Sequence, residues 1–291
     1  PGASPWTERR PPSRAIVCYV VRTLMDFYAS NATIDRYTRA QAEWPTTQEL
    51  LCEGFLVAGS IFLAAALLEL TVVDTVRSIL SSKNGVELYA KAWLYNVVNH
   101  CMLAPIVYAV GVRLFASPSI QFTPAERVLH YASCVAIHSA GYYCTHRAMH
   151  TKTLYWAHKF HHRFNVHICP IAASAVTQVE YMFAYLIPFI IAGVLMQPVP
   201  METIAVAGLA IGHINNLIHT PWLESLSHRL VPWIGVSTAD HFDHHRKLTT
   251  NYAAPTINVD RLLKLAPPLE RAASQLFAAF GKPVACSSKG A

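Results

Sequence analysis

The apolar residues of this chain fall into long runs broken by short polar stretches, not into strand-like alternation. "EGFLVAGSIFLAAALLELTVV" (53–73) is close to the ~20 residues that a helix needs to cross a ~30 Å hydrocarbon core. After the polar loop "DTVRSILSSKNGVELYAKA", "WLYNVVNHCMLAPIVYAVGV" (93–112) is a second predicted span, with Asn96, Asn99 and His100 inside it. "VEYMFAYLIPFIIAGVLM" (179–196) is a third, kinked near Pro188. Beyond the short turn "QPVP", "METIAVAGLAIGHINNLIH" (201–219) is a fourth. "ERVLHYASCVAIHSAGYYC" (126–144) reads as a buried or interfacial helix, and "AIVCYVVRTLMDFYA" (15–29) as a short peripheral one, too polar at Arg22 and Asp26 to span. The expected fold is therefore all-α and multi-pass, with about four transmembrane helices. Its segments are an N-terminal tail and peripheral helix (1–50), a membrane domain (51–265), and a C-terminal helix and tail (266–291).

Composition agrees with the runs. Hydrophobic residues make up 53% of the 291 and charged residues 14%, against ~25% charged in an average soluble domain. The opening "PGASPWTERRPPSR" lacks the apolar core of a cleavable signal peptide. Seven cysteines, with no CxxC pair, sit mostly in apolar context and read as small buried hydrophobes. The net charge of +6 has no compact basic face behind it, so a nucleic-acid partner is not expected. With four spans as drawn, 20 of the 23 Lys and Arg share one side and only Arg77, Lys83 and Lys91 lie on the other. The positive-inside rule makes the rich side cytoplasmic, and the clustered histidines fall on that side.

Those histidines carry the chemistry. "HRAMHTKTLYWAHKFHH" (146–162) holds five, and "HFDHH" (241–245) repeats the spacing of "HKFHH". With 15 histidines in 291 residues, one HxxHH is expected by chance in roughly 0.04 copies, and here there are two. On a helix, residues three and four apart share a face. Three imidazole ridges are thus predicted: His146 with His150; His158, His161 and His162; His241, His244 and His245. Eight imidazoles exceed the four ligands of one tetrahedral zinc and suit two metal ions with positions left open. Iron, zinc, copper and nickel all accept imidazole. His219, ending the fourth predicted span on the same side, is a ninth ligand candidate. His213 and Asn215 are further candidates for the metal or its surroundings, and Glu180, Asp240 and Asp243 for orienting the imidazoles. His100, His130, His138, His167 and His228 read as structural. A zinc protease is disfavoured, since no HExxH occurs. A metal-binding or zinc-transport membrane protein remains the non-enzymatic alternative, although transporters place their ligands near the bilayer middle.

These boxes resemble the fatty acid hydroxylase superfamily, which includes sterol C-4 methyl oxidases, sterol C-5 desaturases and sphingolipid hydroxylases. "YCTHRAMHTKTLYWAHKFHH" is similar to that family's first two boxes and "HFDHHRKLTTNYAAPTINVDRLL" to its last. "NHCMLAP" (99–105) resembles a stretch of its second span, and His219 falls where sterol-oxidase-like members place a further histidine. The chain departs from the family pattern at Ser139, where members often carry Asp, and at Thr177, where many carry His.

The resemblance implies two iron ions, with zinc able to replace them in purified protein, and O2 as cosubstrate. The implied ligands are His146, His150, His158, His161, His162, His219, His241, His244 and His245. The reaction would be hydroxylation of an unactivated C–H bond in a lipid, sterol or terpenoid, with desaturation on the same site as the alternative. Because no GxGxxG fingerprint occurs, electrons must come from outside. In this family the donors are cytochrome b5 and its reductase, and the membrane would be the endoplasmic reticulum. Lys152, Arg163, Arg246 and Lys247 are placed either to steer an acidic donor or to touch lipid headgroups.

Overall fold

The computed structural model describes residues 44–118 and 120–284. The peripheral helix expected at 15–29 lies outside them. Among the described residues all regular structure is helical, and strand pairing is limited to isolated bridges.

Three helices are long and apolar enough to span: α1 (Thr47–Glu69), α3 (Gly85–Phe115) and α6 (Gln178–Met196). A short helix, α2 (Val73–Ser81), lies between the first two. The capping box of Thr46 and Glu49 starts α1, satisfying orphan N–H groups. Only 33% of the apolar window of α1 is buried. Outward-facing Leu56, Leu63 and Leu67 therefore need an apolar surrounding.

Both α3 and α6 contain one π-helical turn, Val98–Leu103 and Tyr181–Leu186. Each ends two residues before a proline, Pro105 or Pro188. Proline has no N–H to donate and crowds the carbonyl four residues back, so the widened turn absorbs its misfit.

The fourth predicted span corresponds to α7 (Thr203–Ile218), a shorter apolar helix of 16 residues. At 1.5 Å per residue it reaches ~24 Å, short of a ~30 Å core. The interfacial helix is longer than its apolar run: α4 (Pro124–Met149) extends 26 residues from the capping box of Thr123 and Glu126 to the first histidine box. It packs along α6 and α7 through Cys134, Ala192, Ala207 and Ile211. Gly141 permits this approach, since a Cβ there would lie 3.0 Å from the Pro188 ring.

The remaining elements are short: α5 (Tyr155–His158), α8 (Glu224–Leu230), α9 (Thr238–Lys247), α10 (Val259–Lys264) and α11 (Pro267–Ala278). The link after the second box is fastened from within the predicted spans. Asn96 donates to Ile171 O at 2.9 Å, and Asn99 to Val176 O at 3.0 Å. The Ile171 amide donates to buried Glu69 at 2.6 Å, and Tyr89 donates to the same carboxylate at 2.8 Å. The polar groups of the second span thus bind main chain of the link that follows the second box.

The C-terminal segment closes over the first box. Phe277 of α11 is buried against Tyr143, and the Val284 amide donates to His150 O at 2.8 Å.

Candidate metal centre

The nine predicted ligands meet in two abutting clusters. His146, His150, His158, His162 and His244 form one; His161, His219, His241 and His245 form the other. Within each, the ligand atoms lie within 4.8 Å of one another. All nine residues are buried, none more than 5% exposed.

Only the first ridge, His146 with His150, stays together in one cluster; the other two are divided. In α9, His241 and His245 serve the four-histidine cluster while His244 serves the five. The second box does the reverse: His158 and His162 join the five and His161 joins the four. Consecutive helical residues point ~100° apart, so the two histidines of each HH pair fall in different clusters. The second box is also not one helical turn. The helix α5 stops at His158 and a 3-10 turn, His161–Phe164, carries the other two histidines.

In the five-histidine cluster, four Nε2 atoms close a ring of contacts. His146–His158 is 2.9 Å, His158–His162 2.8 Å, His162–His150 3.1 Å and His150–His146 3.3 Å. These cannot all be hydrogen bonds. The Nδ1 of His146 must carry a proton, because it donates to the carbonyl of Tyr252 at 2.6 Å. Its Nε2 is then a bare lone pair, and each remaining imidazole holds at most one proton for four contacts. A cation with ~2.1 Å bonds at right angles spaces its ligands ~3.0 Å apart, close to the edges observed. The donor set therefore fits a metal.

The same logic fixes other rings. His219 Nδ1 donates to Asn215 O at 2.8 Å and His244 Nδ1 to Thr250 O at 2.7 Å, which bares both Nε2 atoms. In the four-histidine cluster, the bare Nε2 of His219 stands 2.9 Å from His241 Nε2, which is 3.1 Å from His245 Nε2. Holding the far nitrogen on a carbonyl or carboxylate orients a ligating imidazole and raises its basicity.

Burial pulls all nine imidazoles below their ordinary range, His219 and His244 to about 4 and the others well below 6.5. Desolvation is the main cause, and for all but His244 neighbouring imidazoles add to it. Neutral rings with free lone pairs are what metal binding requires.

The further candidates divide. Glu180 is buried and its Oε1 stands 2.6 Å from His158 Nδ1, so it orients that ring. Asp240 caps α9 through Ser237 and pairs with Arg261 at 2.7 Å; Asp243 pairs with Lys247 at 2.8 Å and accepts from Asn251. Both hold the frame of the third box, and neither is among the grouped ligands. His213 likewise lies outside both clusters. Asn215 contributes its main-chain oxygen to His219, while its side chain donates to Ala173 O at 2.9 Å. The acceptors Tyr252 O, Thr250 O and Asn215 O were not foreseen, since every residue carries a carbonyl and none marks itself in sequence.

Residues 131–264 match the fatty acid hydroxylase family. The matched stretch contains both clusters entire. No curated protein and no solved structure gives a match. The family indicates an oxidoreductase, and the apolar helices and histidine clusters accord with a membrane-associated, metal-binding one. Within the matched stretch, the two departures have structural roles. Ser139 donates to Val135 O at 2.7 Å and meets Thr256 Oγ1 at 2.7 Å, tying α4 to the strand of chain beyond the third box. Thr177 caps α6 by accepting from the Glu180 amide at 3.2 Å and donates to Ala157 O at 2.8 Å, fixing Glu180 relative to α5.

Proposed function

We propose that this protein is an O2-dependent di-iron membrane oxygenase that hydroxylates an unactivated C–H bond of a lipid, sterol or terpenoid. The observation that supports it best is the pair of buried, all-imidazole clusters, five donors beside four, with bare lone pairs at metal-ligand spacing. Iron bound there would supply the O2 chemistry, and zinc would occupy the same nitrogens in a misloaded sample.

The chain itself performs four tasks. Carbonyls of Tyr252, Asn215 and Thr250 and the carboxylate of Glu180 hold the protons of four imidazoles, so that each presents its Nε2 inward. Close packing keeps water from the rings. The C-terminal segment braces the main chain of the first box at His150. The predicted spans deliver an apolar substrate from the bilayer to the end of α7, where His219 lies. In this reading α7 completes the membrane domain as its shortest helix, and the boxes face the cytoplasm from the endoplasmic reticulum membrane. Electrons come from cytochrome b5 and its reductase. Desaturation differs only in the fate of a second hydrogen, so the same residues serve that alternative.

The test is metal content together with O2 consumption by detergent-purified full chain. About two irons per chain and reductant-dependent O2 uptake are expected, with both irons held more weakly and the O2 uptake lost in the His161→Ala/His244→Ala double variant. One metal or none, in folded protein that consumes no O2 with any lipid and donor, overturns the reading and favours a structural or transport role for the histidines.

A further inference from the structure

Five helices run between the same two ends of the described structure. At the far end, Arg113 of α3 donates to Pro45 O just ahead of α1. The Val199 amide donates to Phe115 O at 3.0 Å, and Arg127 of α4 pairs with Glu202 just before α7. At the metal end, Glu69 of α1 accepts from Tyr89 of α3 and from the Ile171 amide of the link after the second box. There too His146 of α4 and His219 after α7 enter the clusters, and Glu180 of α6 meets His158. The helix α4 therefore covers the same distance as α1, α3, α6 and α7. From Arg127 to His146 it rises ~29 Å at 1.5 Å per residue, close to a ~30 Å hydrocarbon core.

Sequence alone makes α4 buried or interfacial, because polar residues such as His138 and Ser139 interrupt its apolar run. Those residues face inward. His138, Ser139 and Tyr142 are buried, and His138 Nε2 donates to Tyr185 O at 3.1 Å. The outward face is different. Every exposed residue from Val128 to Cys144 is apolar: Val128, Leu129, Ala132, Ala136, Ala140 and Cys144. Positions four apart are neighbours on a helix, so these form one stripe ~24 Å long. It continues the apolar surround that Leu56 and Leu63 of α1 already require.

We infer that α4 is a further membrane-crossing helix whose outward stripe faces lipid acyl chains, so that Trp44 and the links at Gln121 and Val199 lie across the bilayer from the metal centre. Two links thereby change sides relative to the four-span expectation. Gln121 moves away from the histidines. Lys83, between α2 and α3, joins them, because Glu69 and Tyr89 on either side of it are tied to each other, and Glu69 to Ile171. Among the described residues, Arg113 and Arg127 are then the only Lys or Arg at the far end, and the positive-inside rule still makes the metal side cytoplasmic. None of this depends on the reaction that the metal centre performs.

The test is cysteine labelling of the full chain in sealed microsomes whose cytoplasmic face is outward. A membrane-impermeant maleimide is applied before or after permeabilisation, and peptide mass spectrometry locates the label. The exposed positions Lys83→Cys, Gln121→Cys and Arg271→Cys serve as probes, the last on α11, which covers the first box. Lys83→Cys and Arg271→Cys should react in intact vesicles, and Gln121→Cys only after permeabilisation. Labelling of Gln121→Cys in the same state as Arg271→Cys, or of Lys83→Cys in the opposite state, would overturn the inference. A second pair tests the stripe itself. A carboxylate among acyl chains is strongly disfavoured, so Ala136→Asp should lower the yield of folded, membrane-inserted chain at least ten-fold, while Ala136→Leu stays near the parent. Equal yields from the two variants would mean that the face meets water.

Discussion

Replacing two histidines of one box should affect the metals differently from replacing two of one cluster. His161→Ala/His241→Ala removes two of four donors from one cluster and none from the other. His158→Ala/His162→Ala removes two of five from the other cluster, and His158→Ala/His161→Ala removes one from each. Structural zinc sites with four ligands bind with about 10–16 kcal/mol, or roughly 3 kcal/mol per ligand if shared equally. Losing two donors from a cluster then costs about 6 kcal/mol, on the order of 10⁴-fold in affinity. Losing one from each costs about 10²-fold at both. The assay is metal per chain by mass spectrometry after equilibration with chelators of graded strength, with helix content checked by circular dichroism. Each same-cluster pair should leave one tightly held ion. The split pair should hold two ions, both released by a weaker chelator than the parent requires. If His158→Ala/His162→Ala and His158→Ala/His161→Ala behave alike, the division of each HH pair between two ions is wrong.

The orienting acid gives a second prediction: Glu180→Gln keeps the volume but loses the carboxylate beside His158, so metal affinity should fall about 10–100-fold in a chelator titration, with melting nearly unchanged. Acid should destabilise the metal-stripped chain. Its imidazoles are held neutral below their ordinary range when folded, whereas the unfolded chain protonates them near 6.5. Stability is therefore full above pH 6.5 and is lost as pH falls toward 4, by up to about 1.4 kcal/mol per unit for each histidine. A melting temperature flat from pH 8 to 5 would contradict this. Phe277→Ala opens a cavity where α11 covers Tyr143 and Arg147, and should cost about 3–5 kcal/mol in denaturant unfolding. Deleting the chain after residue 266 should in addition weaken the metal whose first-box ligands it braces at His150.

Sequence by itself determined the class of molecule and named the histidines that gather into the two clusters. Apolar run length is a property of the chain laid end to end, so α1, α3 and α6 were legible. Imidazole chemistry belongs to the residue wherever it sits, so all nine clustered histidines could be named, and Glu180 with them as an orienting group. Only the tertiary structure decided how those histidines are shared. The HxxHH boxes read as ridges because i, i+3 and i+4 are near neighbours on a helix. The ~40° and ~60° by which they diverge decide the outcome only once a second and third element stand opposite. The Tyr252, Thr250 and Asn215 carbonyls that set the tautomers could not be read, because the main chain is the same at every position and acquires a role only by where it is folded. Asn215 shows the limit most plainly. Its spacing from His219 was visible along the helix, but the bond from its side chain to Ala173 O arises only where α7 meets the link after the second box in space.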